Sequence, residues 1–196
     1  IACNASGARS FRYGATRPWV RAVEVVLPTG QVVVANRETP IPADWPSVRW
    51  SPPLVKTAAG YEPTDNLLDL MIGQEGTLGV ITKAWLEVIE APKEVIGLIA
   101  YFSSLPDCLR FVEVARKGAQ RPGREAEEGS LNPRAIEFFD HHSMRLIRQR
   151  VQGIPAQAHC GLFMEVEEDP DLELWFETLK SYGALVDDLI LAEDGP

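Results

Sequence analysis

Ten residues, Gly73-Gln74-Glu75-Gly76-Thr77-Leu78-Gly79-Val80-Ile81-Thr82, constrain this chain more than any other stretch. Three glycines precede a run rich in β-branched side chains. Glycine lets backbone approach backbone, or a ligand, with no Cβ in the way. The spacing predicts a tight turn that feeds a buried strand. Successive amides in such a loop also form a cradle for an anion such as a pyrophosphate. The glycines do not follow the dinucleotide pattern Gly-x-Gly-x-x-Gly, and no phosphate-loop lysine follows them. On the residues alone, a ligand-binding loop and a plain strand-entry turn both remain open.

Residues 1–14 are rich in small side chains, with Ala2, Ala5, Ser6, Gly7 and Ala8 leaving room beside the backbone. Arg9, Arg12 and Arg17 add local positive charge, either for a phosphate or simply solvated. Residues 20–27 and 31–35 form a hairpin about Pro28-Thr29-Gly30. Residues 36–53 hold five prolines and two tryptophans and read as a loop. A short helix spans 63–70, capped by Thr64 or Asp65, with Leu67, Leu68, Leu70 and Met71 as its apolar face. A long strand follows over 80–90, with Trp85 on the face opposite Ile81, Ala84, Leu86 and Val88.

Ala91-Pro92-Lys93 marks a domain boundary, and strands then alternate with helices. Strands are expected over 95–102, 135–139, 161–166 and 184–192. One helix spans 104–117, capped by Ser104, with Leu105, Cys108, Leu109, Val112 and Ala115 facing inward. A second spans 140–151 through Met144, Ile147 and Val151. A third starts at Asp169-Pro170 and turns Leu172, Trp175, Phe176 and Leu179 to the core. Residues 118–133 read as a polar, mobile loop. This is an α+β pattern, with an antiparallel sheet and helices on one face.

Composition narrows the function. A net charge of −9 argues against nucleic acid or an anionic membrane as a partner. No apolar run is long enough to span a bilayer. Cys3, Cys108 and Cys160 fit no zinc or disulfide spacing and read as free thiols of a reducing compartment. His141 and His142 are neighbours on a helix and face different sides, and His159 is distant in sequence, so no metal site is expected. Glu165, Glu167, Glu168, Asp169 and Asp171 read as a solvated acidic turn.

Three motifs in order carry a more specific resemblance. Residues 73–82 are similar to the segment that closes the flavin domain in FAD-linked oxidases of the vanillyl-alcohol oxidase superfamily (PCMH-type FAD-binding). The similarity is greatest to the branch that holds D-lactate dehydrogenase and glycolate oxidase. Asn4-Ala5-Ser6-Gly7 through Tyr13-Gly14 resembles that family's Asn-Ala-Ser-Gly…Tyr-Gly segment. Lys56-Thr57-Ala58-Ala59-Gly60-Tyr61 resembles its Lys-x-x-x-Gly-Tyr segment. A shorter match, Ala135-Ile136-Glu137-Phe138-Phe139-Asp140, resembles a strand of its cap domain.

The resemblance implies the second part of a PCMH-type FAD-binding domain over 1–91. Over 92–196 it implies the N-terminal part of an α+β substrate (cap) domain. It implies FAD as cofactor, contacted by Cys3, Asn4, Ala5 and Ser6 and by Glu75, Gly76, Thr77, Leu78, Gly79, Val80 and Ile81. It names no catalytic residue in this stretch, and the family's metal-associated His-x-x-x-x-x-x-His segment has no counterpart here. The implied reaction is hydride transfer from a D-2-hydroxy acid, of lactate or glycolate type, to flavin. Electrons then pass to an acceptor protein or partner subunit, in the cytoplasm or at the inner membrane through that partner. The same scaffold also serves other flavin oxidations. A further alternative is a non-catalytic fragment that binds no flavin. The chain reads as a fragment, with weak or absent FAD binding expected of it alone.

Overall fold

The computed structural model describes residues 1–52, 60–167 and 170–193. It divides into two compact units, Ile1–Gly7 with Ala15–Glu90, and Ala8–Gly14 with Ala91–Pro196. The first motif is shared between them, because the single helical turn α1 (Ser10–Tyr13) belongs to the second unit. Residues 56–59 of the Lys-to-Tyr motif, and the expected cap Asp169, lie outside the described residues. Each unit is built on an antiparallel sheet, so the α+β reading holds at that level.

In the first unit, β1 (Val20–Val26) and β2 (Val32–Asn36) form the expected hairpin, with Val26 opposite Val32. Helix α2 (Leu67–Met71) follows the proline-rich loop and leads into β3 (Val80–Leu86). The strand order is β2-β1-β3. One face of the sheet packs Val23, Val25 and Ala35 against Leu67, Leu68, Leu70 and Met71. At five residues α2 is too short to persist alone, and the burial of those four side chains holds it.

Two expectations in this unit need correction. Neither Thr64 nor Asp65 caps α2. Asn66 does, accepting a hydrogen bond from the Asp69 amide at 2.8 Å, while Thr64 Oγ1 accepts from the Asn66 amide. The strand also stops at Leu86 rather than residue 90. Leu86 pairs with Val20, the first residue of β1, so the ladder has no partner left beyond one bond from Glu87 to the Trp19 carbonyl. β3 is moreover an edge strand, and only Ile81 of its side chains is half-buried, so it is not the buried strand the β-branched run suggested.

In the second unit, β4 (Val95–Phe102), helix α3 (Leu105–Gly118), β5 (Pro133–Phe139), α4 (His141–Ile147), β6 (Cys160–Glu167), α5 (Leu172–Ser181) and β7 (Ile190–Glu193) follow in turn. The sheet order is β5-β6-β4-β7. Alternate residues of a strand face opposite sides. Leu98, Ala100 and Phe102 of β4, with Leu162 and Met164 of β6, meet Cys108, Phe111 and Ala115 of α3 and Trp175 and Leu179 of α5. Phe111 is the centre of this core, its ring 6.0 Å from Phe102 and 6.4 Å from Trp175.

The helices are not all on one face, as had been expected. Met144 of α4 packs with Tyr101 and Ala158, and Tyr101 points away from the α3 side. Helix α3 begins where Ser104 caps it, but its buried face runs through Cys108, Phe111, Ala115 and Gly118, and Leu109 is exposed. Helix α5 is capped by Asp171, whose carboxylate accepts from the Leu174 amide, and both Leu172 and Phe176 are 40% exposed. Helix α4 ends at Ile147 rather than 151, because beyond Met144 its face meets no core, and Arg148 instead donates to the Pro155 and Ala158 carbonyls. The last strand begins at Ile190. Phe102 bridges Ala184 and Ile99 pairs with Ile190, so this side carries surplus residues that the 3-10 turn Val186–Asp188 takes up.

Of the acidic run, Glu165 and Glu167 lie on β6 and are paired rather than solvated, Asp171 is the exposed cap of α5, and Glu168, like Asp169, lies outside the described residues. Arg134, with its side chain 5% exposed, donates to Glu165 at 2.7 Å and to Glu167 at 3.1 Å. Arg9 donates to Glu165, Arg12 donates to Glu167 at 2.8 Å, and Tyr13 donates its hydroxyl to Glu167. The bond from Arg9 leads in holding the Glu165 carboxyl below its ordinary range, against the opposing effect of burial, and Arg134 adds to it. Burial first, then the bond to Glu167, pushes the Tyr13 hydroxyl up to about 12. Arg9 and Arg12 are therefore engaged with carboxylates.

Candidate functional site

The two segments singled out for a ligand, almost seventy residues apart in sequence, lie against each other. The Gly73 amide donates to the Ile1 carbonyl at 3.2 Å and the Glu75 amide to the Ala2 carbonyl at 2.8 Å. The Asn4 amide closes a turn onto the Ile1 carbonyl at 2.8 Å. Asn4 takes a left-handed backbone, φ +43°, a conformation that asparagine tolerates better than most residues. Its side chain is buried and accepts from the Arg17 amide at 3.0 Å.

The glycine turn is held from inside by Gln74, which is 2% exposed. Its amide Nε2 donates to the Gly79 carbonyl at 2.8 Å, and its Oε1 accepts from the Leu78 amide at 2.7 Å. The Thr77 amide and hydroxyl both donate to the Gln74 carbonyl. Glu75 and Gly76 are both left-handed, φ +54° and +82°, which turns the chain back sharply. Gly79 is required for a different reason. A Cβ there would lie 2.7 Å from Val25 Cγ1 and 2.7 Å from the Val26 carbonyl oxygen of β1.

Arg17 locks the pair of segments from below. Its guanidinium donates to the carbonyls of Asp69 and Ile72, satisfying acceptors that the end of α2 leaves open, and it pairs with Asp69 at 3.3 Å and Glu62 at 3.5 Å. Tyr61, the last residue of the Lys-to-Tyr motif, places its hydroxyl 2.7 Å from Thr77 Oγ1. Within the first unit, the start of the chain up to Asn4, the turn at 73–77 and Tyr61 thus meet.

The eleven predicted contact residues do not behave alike. Cys3, Ala5, Ser6, Glu75, Gly76, Thr77 and Val80 are exposed there. Asn4 and Gly79 are buried, and Leu78 and Ile81 pack against the core of the unit, so these four shape the turn from within. Among the described residues, the amides of Cys3, Ala5 and Gly76 have no hydrogen-bond partner, and a Cβ on Gly76 would meet nothing within 4 Å. Exposed donors beside open space suit an anionic ligand. Gln74 and Arg17 escaped the sequence reading. Gln74 stood in the motif with no role, and Arg17 was weighed only against phosphate or solvent, although a guanidinium is equally suited to a helix's terminal carbonyls.

Elsewhere the chemistry is sparse. The His141 and His159 rings stack at 4.7 Å, so sequence distance misjudged that pair, yet among the described residues no three His, Cys, Asp or Glu side chains are placed to hold a metal ion. Cys108 and Cys160 are buried free thiols, raised above their ordinary range chiefly by burial, and Cys3 is exposed. A recess of about 330 Å³ between α5 and β7 is lined by Leu98, Trp175, Phe176, Leu179, Leu189 and Leu191 and is almost wholly apolar. No helix among the described residues is long and apolar enough to cross a membrane.

The chain matches no protein-family model. It is 45% identical over 140 residues to a D-lactate dehydrogenase of Anaerostipes hadrus, covering 71% of this chain and 23% of that protein. It is 26% identical over 163 residues to glycolate oxidase subunit GlcD of Bacillus subtilis, covering 83% of this chain and 28% of that protein. A solved structure of alkyldihydroxyacetonephosphate synthase superposes on 94% of the chain and 32% of its own length, with a TM-score of 0.57 and 18% identity, a likeness of fold alone. The chain spans about a quarter to a third of the length of the first curated relatives it matches. Over most of its length the chain is thus a homologue of proteins named D-lactate dehydrogenase and glycolate oxidase subunit GlcD.

Proposed function

We propose that this chain is part of an FAD-dependent oxidoreductase that oxidises a D-2-hydroxy acid of lactate or glycolate type. In this reading residues 1–91 are the second part of a PCMH-type FAD-binding domain, and 92–196 begin the α+β substrate domain. The observation that carries it is the pairing of Ile1 and Ala2 with Gly73 and Glu75, which sets exposed amides of Cys3, Ala5 and Gly76, unpartnered among the described residues, on one surface with open space beside Gly76. The names of the relatives supply the substrate class.

The residues present fit the cofactor. Cys3, Ala5 and Gly76 offer small side chains and backbone donors to its phosphates, while Asn4, Leu78, Gly79 and Ile81 hold that surface in shape. FAD, when bound, supplies the hydride acceptor. The chain's own part is to position it, since no side chain among the described residues is set up here as an acid, base or nucleophile. Electrons leave to an acceptor protein or partner subunit, and any attachment at the inner membrane runs through that partner.

The test is the visible spectrum of the purified full-length protein under anaerobic conditions. Oxidised flavin bands should bleach with D-lactate or glycolate and persist with L-lactate. A flavin-containing protein that no 2-hydroxy acid bleaches sinks the substrate assignment, and a colourless protein that takes up no FAD sinks the whole reading.

A further inference from the structure

We infer that Gln74 is a positioning residue for the cofactor. This rests on the flavin reading above. Its side chain is buried, 2% exposed, and its described bonds both go to the turn, one N–H donating to the Gly79 carbonyl and Oε1 accepting from the Leu78 amide. Its main-chain carbonyl takes both donors of Thr77. A primary amide suits this place because it offers a donor and an acceptor side by side, and the turn presents an acceptor and a donor to meet them. The consequence falls on Glu75 and Gly76. Both are left-handed, a state that is uphill for glutamate, and both sit on the arc that Gln74 closes. With the arc closed, the Gly76 amide meets no acceptor among the described residues. With it open, Glu75 relaxes and the donor surface is lost before a ligand arrives, so the ligand must bear the cost of ordering it.

The chemistry of the amide gives a test that a merely structural role would not meet. A carboxylate in its place accepts from Leu78 but confronts the Gly79 carbonyl with negative charge. A protonated carboxyl restores both bonds, its O–H donating to Gly79 and its carbonyl accepting from Leu78. Three forms of the full-length protein are compared, wild type, Gln74→Met and Gln74→Glu. The readouts are FAD affinity by flavin fluorescence quenching across pH 5–9 and hydrogen exchange of the peptide holding Leu78.

Wild type should bind FAD with little pH dependence. Gln74→Met should weaken binding about tenfold and speed exchange at Leu78, as expected for two lost bonds of ordinary strength. Gln74→Glu should approach wild-type affinity at the acid end and lose about tenfold as the buried carboxyl ionises, the neutral form being favoured beside a carbonyl. Unchanged affinity in Gln74→Met overturns the inference. So does a loss in Gln74→Glu that is flat across pH. Should Gln74→Met not fold, the pH profile of Gln74→Glu decides alone. A wild type that takes up no FAD overturns the flavin reading itself, and the wild-type titration distinguishes that failure from the others.

Discussion

Replacing Gly79 by alanine tests whether the turn is held by close approach to β1. The added Cβ would sit 2.7 Å from Val25 Cγ1 and 2.7 Å from the Val26 carbonyl oxygen. Carbon contacts are comfortable only from roughly 3.5 Å, so about 1 Å must be found. Neither neighbour yields easily. Val25 is 1% exposed within the core, and Val26 is paired to Val32 on one side and Val80 on the other. Overpacking of this kind costs about 1–3 kcal/mol, and the upper end applies where backbone must move. Alanine also stiffens the unfolded chain, offsetting roughly 0.4–1 kcal/mol. A net loss of about 2 kcal/mol remains, or a fall of roughly 8–16 °C in the Tm of a unit of this size. Gly76→Ala is the control. It meets nothing within 4 Å but has φ +82°, so it should cost only about 1 kcal/mol from handedness. Urea unfolding followed by tryptophan fluorescence suits the measurement, since four of the five tryptophans, Trp19, Trp45, Trp50 and Trp85, lie in this unit. A Gly79→Ala protein within about 0.5 kcal/mol of wild type, or one more stable than Gly76→Ala, would refute the argument.

Phe111→Ala should destabilise the second unit by about 3–5 kcal/mol, whereas Leu109→Ala, two positions away and exposed, should stay within about 0.5 kcal/mol of wild type in thermal unfolding. Equal losses would mean that the helix presents the other face. The Glu165 carboxyl is held below its ordinary value of 4.5. Its contribution is therefore complete above that pH and is lost as pH falls through the lower folded value. Acid unfolding of the second unit should begin below the ordinary carboxylate range and flatten in Glu165→Gln. An acid limb identical in the two proteins would count against the pairing with Arg9 and Arg134.

How legible each element was depends on what fixes it. The hairpin about Pro28-Thr29-Gly30, the strand Val95–Phe102 and the Ser104 cap were readable because local chemistry decides them. The face of α3 was readable in part, through Cys108, Val112 and Ala115. Leu105 and Leu109 fit the same helical stripe by spacing yet are exposed, while Phe111 is drawn in by the rings of Phe102 and Trp175. Strand ends at Leu86 and Ile190 depend on where a partner strand stops or a surplus loops out, which no window of sequence contains. The same limit hid the ion cluster. Arg9, Arg12 and Arg134 meet Glu165 and Glu167 only through the sheet, so the run of acids looked solvated. At the candidate site the motifs located the turn, and the three-dimensional pairing added the internal supports, Gln74, Arg17 and Tyr61.

The most direct test of the account is hydrogen exchange of the full-length protein with and without FAD, read peptide by peptide. The account predicts that FAD slows exchange together in residues 1–6 and 73–81, through the amides of Cys3, Ala5 and Gly76, and leaves α3 unchanged. Protection confined to other parts of the protein, with these two segments exchanging as before, would contradict it.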